Sequence, residues 1–224
     1  MKELKSFVKI INIGFIFIII LLIAILVLIS ANIKADLLVH KPPSESEILD
    51  SIIVHFIHGS IPKNNCDYKK KRLGSYLGGH VEIEVNDKVF GFLYDSIPIN
   101  FIPKNTFNSR FEVKEKIDWK KYTGNDKITS IYIPVTYLEI KQIESLLNKY
   151  VKTVPYDYAF WGQRCTSSTA KILSDVGIIN KFSNLEAIIA FFYPRALRFT
   201  LLQFAKKNNF KVVLKPGIDC HKWE

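Results

Sequence analysis

Residues Ile10 to Ile33, IINIGFIFIIILLIAILVLISANI, carry no charged side chain, and no other feature of the chain restricts its fold as strongly. At about 1.5 Å per residue, a helix of this length covers the roughly 30 Å hydrocarbon core of a bilayer. The preceding flank holds Lys2, Lys5 and Lys9 against Glu3 alone. Positive-inside bias therefore keeps the N-terminus cytoplasmic and predicts a single-pass anchor with the remainder extracytoplasmic, as at a bacterial inner membrane. A cleaved signal peptide competes with this reading. The run exceeds the usual apolar core of about 7–15 residues and no clear A-x-A site follows it, although Ala31 and Ala35 leave cleavage open.

The chain then divides into a tail and anchor at 1–35, a Pro- and Ser-containing juxtamembrane linker at 36–50, and one domain at 51–224. The formal charge of +10 invites a nucleic-acid reading. Beyond residue 35 the count is 27 basic against 20 acidic side chains, net +7, and the basic residues are spread. Their one cluster, Lys69, Lys70, Lys71 and Arg72, suits a solvated loop or anionic headgroups as well as it suits phosphates. No nucleic-acid motif is present, so no nucleic-acid partner is expected.

Period-two and helical spacing alternate along the domain. Ser51–His58 (SIIVHFIH) reads as a strand. In GGHVEIEVNDKVFGFLYD, alternation sets Val81, Ile83 and Val85 on one face and His80, Glu82 and Glu84 on the other. Asn86-Asp87 marks a tight hairpin turn and Val89–Tyr94 the return strand. Residues 97–127 give no clear pattern. Lys127–Val135 reads as a strand, and Thr136 with Glu139 forms a capping box ahead of a helix exiting at Pro155. Further helices are predicted from Cys165 to Val176, from Asn184, and beyond Pro194 to Lys206, before a last strand in KVVLKPG. The fold class expected is α+β, an antiparallel sheet packed with helices.

Two segments can carry chemistry. In PYDYAFWGQRCTSSTAKILSDVG, Cys165 opens a helix beside Thr166, Ser167 and Ser168. Unpaired N–H groups and the helix dipole there favour a thiolate and can hold an oxyanion. A buried core cysteine is the bland alternative. In GGHVEIEV, His80 follows two glycines and is the residue type that a thiol nucleophile needs as base and then as acid. Glu82, two residues on, lies on the same strand face and can orient the imidazole, with Glu84 and Asp95 as weaker choices. A solvated polar strand face accounts for these residues equally well.

Together, GGHVEIEVNDKVFGF and the later PYDYAFWGQRCTSST resemble the permuted papain-like cysteine hydrolases of the NlpC superfamily, which include lecithin:retinol acyltransferase-like proteins and bacterial permuted peptidases. In permuted members the histidine strand precedes the cysteine helix, as His80 precedes Cys165 here. The resemblance spans roughly residues 50–180. It implies a permuted papain-like fold, Cys165 as nucleophile, His80 as base and Glu82 as a provisional third residue. It also implies oxyanion support from Tyr156, Tyr158 or Gln163. Substrates implied are peptides or lipids with an amide or ester bond, near the membrane given the anchor, with no cofactor.

Two other readings stay open. The same fold can serve as a catalytically silent binding module. Alternatively, His55, His58, Cys66 and His80 can supply four zinc ligands. The odd separation of His55 and His58 puts them on opposite strand faces, so convergence needs a bend at Gly59. His58 can instead line the cleft with His80. Cys66 and Cys220 can pair in an extracytoplasmic domain, leaving Cys165 free. The aromatic-basic run from Phe191 to Phe199 reads as core helix broken by Pro194, with lipid or substrate contact as the alternative.

Overall fold

A computed structural model describes residues 50–63, 78–95, 99–106, 108–181 and 183–224, with Leu21 and Ile25. Nearly all of the apolar run and linker, Cys66 and the cluster at Lys69–Arg72 lie outside the described residues. Among the described residues, no helix is long and apolar enough to cross a membrane.

The elements run β1 (Asp50–His58), β2 (Ser60–Pro62), β3 (Gly79–Val85), β4 (Lys88–Tyr94), β5 (Ser109–Glu115), α1 (Lys116–Tyr122), β6 (Ile128–Val135) and α2 (Tyr137–Lys152). They continue α3 (Cys165–Asp175), α4 (Asn184–Ala190), α5 (Pro194–Lys207), β7 (Val212–Lys215) and β8 (His221–Trp223). This is an α+β fold. Six strands form one sheet in the order β5-β4-β3-β1-β6-β7, with every neighbouring pair antiparallel. β2 and β8 form a separate two-stranded ribbon.

Local chemistry explains most boundaries. Val85 pairs with Lys88 across Asn86-Asp87, whose positive φ values of 48° and 60° suit a two-residue hairpin turn. The Thr136 side chain accepts from the Glu139 N–H, and the Glu139 carboxylate accepts from the Thr136 N–H at 2.7 Å, closing the capping box of α2. Ser183 and Glu186 do the same for α4. Pro194 stands in the first turn of α5, where its missing N–H costs nothing.

The main core lies on one face of the sheet. Val81, Ile83 and Val85 of β3 join Phe56, Ile131 and Ile133 of its neighbours in one apolar cluster with Ile143 and Leu147 of α2, Leu173 of α3 and Leu201 of α5. The other face is covered as well, and this differs from the solvated strand that alternation allowed. α1 lays Trp119 over it, forming a smaller cluster with Ile57, Val89 and Ile128. His80, Glu82 and Glu84 therefore sit in a buried polar layer. Buried polar groups need partners. His55 meets Ser130 at 2.8 Å and Glu84 at 3.0 Å, and Lys116 of α1 reaches Glu84 at 2.6 Å. The pattern-free stretch 97–127 thus supplies β5 and α1, the lid over this layer.

Candidate active site

β3 delivers the base. Gly79 has φ +101°, and a Cβ there would fall 2.3 Å from the Ile57 carbonyl oxygen, so the chain turns into the strand only with glycine. His80 follows, 6% exposed and paired with Ile57 of β1. α3 delivers the thiol, since Cys165 is its first residue and is only 5% exposed. Ser167 Oγ accepts from the Arg164 N–H at 2.9 Å and Ser168 N–H donates to the Arg164 carbonyl at 2.8 Å, tying down this first turn.

The Cys165 thiol and the His80 ring are close enough that each favours the charged form of the other. Nε2 of His80 has no hydrogen-bond partner among the described residues. Nε2 instead faces Glu82, whose Oε1 lies 3.8 Å away. That is ion-pair distance, too long for a hydrogen bond. The other Glu82 oxygen accepts from Trp119 Nε1–H at 2.5 Å, which fixes the carboxylate. Gly91 of β4 leaves room for the pair, since a Cβ there would stand 3.0 Å from Glu82 Oε1 and 3.2 Å from His80 Nε2.

Burial opposes charge on both partners, and their mutual attraction overrides it. Burial would raise the Cys165 pKa. The charge of His80, the Thr166 hydroxyl and the Val81 N–H together hold it below the usual thiol range. Burial would lower the His80 pKa. Cys165 and Glu82 hold it above its usual 6.5, with Lys114 opposing. The pair is thus biased towards thiolate and imidazolium.

Tyr158 completes the group. Burial keeps its phenol neutral by raising the pKa, and the neighbouring Cys165 adds to that shift. Asn108 clamps the Tyr158 backbone, accepting from its N–H at 3.0 Å and donating to its carbonyl at 3.1 Å. Asp157 Oδ2 accepts from the N–H groups of Lys104 and Thr106 at 2.7 and 3.1 Å, joining the 99–106 arch to the same segment. A cavity of about 240 Å³ opens over this group, walled by Cys165, His80, Tyr158, Arg164, Phe160 and Phe192 among others.

Three residues expected at the cleft stand elsewhere. Tyr156 is half-buried against the core, with its hydroxyl 2.6 Å from Ser168 Oγ, so it braces α3. Gln163 is buried and lines none of the cavity, because the turn from Ala159 to Gln163 points it inward. His58 faces the far side of β1, with Nε2 2.8 Å from Thr129 Oγ1 and Nδ1 3.2 Å from the Glu224 carbonyl. His55 and His58 do fall on opposite faces, with different partners, so the zinc set does not assemble from them. Among the described residues, no group of three or more metal-binding side chains comes together. Cys220 is disulfide-bonded and Cys165 is free. Sequence reasoning passed over Trp119, Arg164 and the Val81 N–H. The first belongs to a helix without a periodic pattern, the second reads as an ordinary surface cation, and the third is backbone.

In comparison with known proteins, no family model, no curated protein and no solved structure matches this chain.

Proposed function

We propose that this chain is a membrane-anchored thiol hydrolase or acyltransferase of permuted papain-like architecture, acting on an amide or ester bond of a peptide or lipid through Cys165 and His80. The observation that carries this reading is that Cys165 at the start of α3 and His80 of β3 line one cavity as electrostatic neighbours, each shifting the other towards its charged form. In the first step the Cys165 thiolate attacks the carbonyl carbon, and a C–S bond forms as the carbonyl π pair moves to oxygen. The Tyr158 hydroxyl and the Cys165 N–H are the donors proposed for that oxyanion, since both residues line the cavity. Collapse breaks the bond to the leaving nitrogen or oxygen, which takes the proton from His80. Water or another acceptor then attacks the thioester as His80 removes its proton, and the thiolate is released. Glu82, held by Trp119, keeps the imidazole oriented and favours its protonated form. The run at 10–33 holds the domain near the bilayer.

The test is labelling with an acyl-transfer activity probe directed at cysteine. Wild type is labelled, Cys165→Ala is not, and His80→Ala is labelled at least about a hundredfold more slowly, given the usual weight of general acid–base help. Labelling that persists undiminished in Cys165→Ala removes the proposed nucleophile.

A further inference from the structure

The residue beside the nucleophile is a cation with no acidic partner among the described residues. The Arg164 guanidinium lies 3.4 Å from the ring centre of Phe192, 5.0 Å from Phe160 and 5.8 Å from Tyr193. Three rings therefore surround it, and all four residues wall the same cavity as Cys165. Stacking on aromatic faces satisfies the π-face of a guanidinium and leaves its N–H edge unspent. Nη2 is shielded from solvent and has no hydrogen-bond partner among the described residues. The neighbours that interact with it electrostatically are Tyr158, Cys165 and Tyr193. Every other ion pair of a described arginine ends on a carboxylate, Arg110 on Asp95 and both Arg195 and Arg198 on Glu224. An unpartnered N–H of a charged group is costly, and the half-buried Arg164 lines the cavity, so an anion there would supply the charge-assisted hydrogen bond it lacks after a small turn of the guanidinium.

We propose that Arg164 is a specificity-determining residue that binds a carboxylate or phosphate oxygen of the substrate inside the Cys165 cavity. The substrate class that follows is an anionic acyl compound whose apolar body lies along Phe160, Phe192 and Tyr193. A neutral ester or amide of the same shape leaves Nη2 unpaired and is discriminated against. This inference rests on Cys165 being the nucleophile, and the two can fail separately.

The probes are alkylating agents, so no natural substrate is needed. Iodoacetate and iodoacetamide form one pair. N-iodoacetyl amino acids with two to five methylenes before the carboxylate, each matched with its primary amide, extend the reach. Alkylation of Cys165 is followed by mass spectrometry in the full chain. At the best spacer, wild type prefers the carboxylate, and in Arg164→Gln the anionic-to-neutral rate ratio falls about tenfold, the weight of one charge-assisted pair. Arg164→Lys, which keeps the charge without the stacked fork, falls between the two. A ratio in Arg164→Gln within twofold of wild type at every spacer overturns the proposal. A second measurement needs no variant: hexanoate should protect wild-type Cys165 from iodoacetamide saturably, and hexanol at equal concentration should not. Equal protection by both overturns the proposal even where Arg164→Gln fails to fold. If Cys165 instead alkylates no faster than an ordinary thiol, and His80→Asn changes nothing, it is the nucleophile assignment that has failed.

Discussion

A thiol at 5% exposure would ordinarily be a poor nucleophile, because burial favours its neutral form. At Cys165 the neighbours reverse that, and the reversal has a sign that can be measured. The Cys165 pKa is lowered and that of His80 is raised, so thiolate forms at lower pH, and imidazolium persists to higher pH, than for the isolated side chains. The rate of alkylation by iodoacetamide should therefore rise at lower pH than that of an ordinary thiol. In His80→Asn the desolvated thiol loses its main stabiliser, and the rise should move to alkaline pH, at or above an ordinary thiol. Glu82 supports the imidazolium by charge at 3.8 Å. Glu82→Gln, close in shape, should lower the His80 pKa and cut the probe-labelling rate by about tenfold, with the alkaline limb moving towards neutrality. An unchanged limb would mean that Glu82 acts only in packing.

At the scale of elements, β3 sets the site, and its entry is the fragile point. Gly79→Ala would force φ +101° on a residue with a Cβ and drive that atom into the Ile57 carbonyl. A loss of about 3 kcal/mol is expected in urea unfolding, together with reduced Cys165 reactivity in the folded fraction. What the sequence made legible follows from the same scale. Thr136 with Glu139, Asn86-Asp87 and Pro194 are signals carried by short-range chemistry, and each boundary they predicted is present. α1 was not legible, because KIDWKKY buries only Trp119 and its N-cap makes no side-chain hydrogen bond. β2 and β8 span three residues each and form only against one another. At the site, Cys165 and His80 were readable from a helix start and a glycine-led strand. The direction of Tyr156, Tyr158 and Gln163 was not, because it depends on the turn at Ala159–Gln163 and on Asn108, which lies about fifty residues earlier. Both faces of β3 being covered was likewise set by α1, which is distant from it in sequence.

Across the whole molecule, the sheet is closed on its far side by the C-terminal region. His58 of β1 meets Thr129 of β6, the Glu224 carbonyl and Arg198 of α5. Burial, with Arg198 and Lys127 nearby, lowers the His58 pKa from 6.5 to about 4. The folded protein thus holds this ring neutral where the unfolded chain already takes a proton. The stability contributed is fully present above pH 6.5 and is lost as pH falls from 6.5 towards 4. A loss of about 1–2 kcal/mol is expected once solvent screening is allowed for. Urea midpoints measured between pH 7 and 4 check it, and His58→Gln should flatten that part of the profile. The pairing of His80 from β3 with Cys165 from α3 has a kinetic consequence. Neither half of the chain contains the reactive group, and no local stretch can pre-form it, so heightened thiol reactivity arises only when distant strands and helices have docked. Iodoacetamide then becomes a clock for folding. During refolding, the heightened rate should appear with the slow, cooperative phase and never with early helix formation, and on denaturation it should vanish at the same midpoint as the circular dichroism.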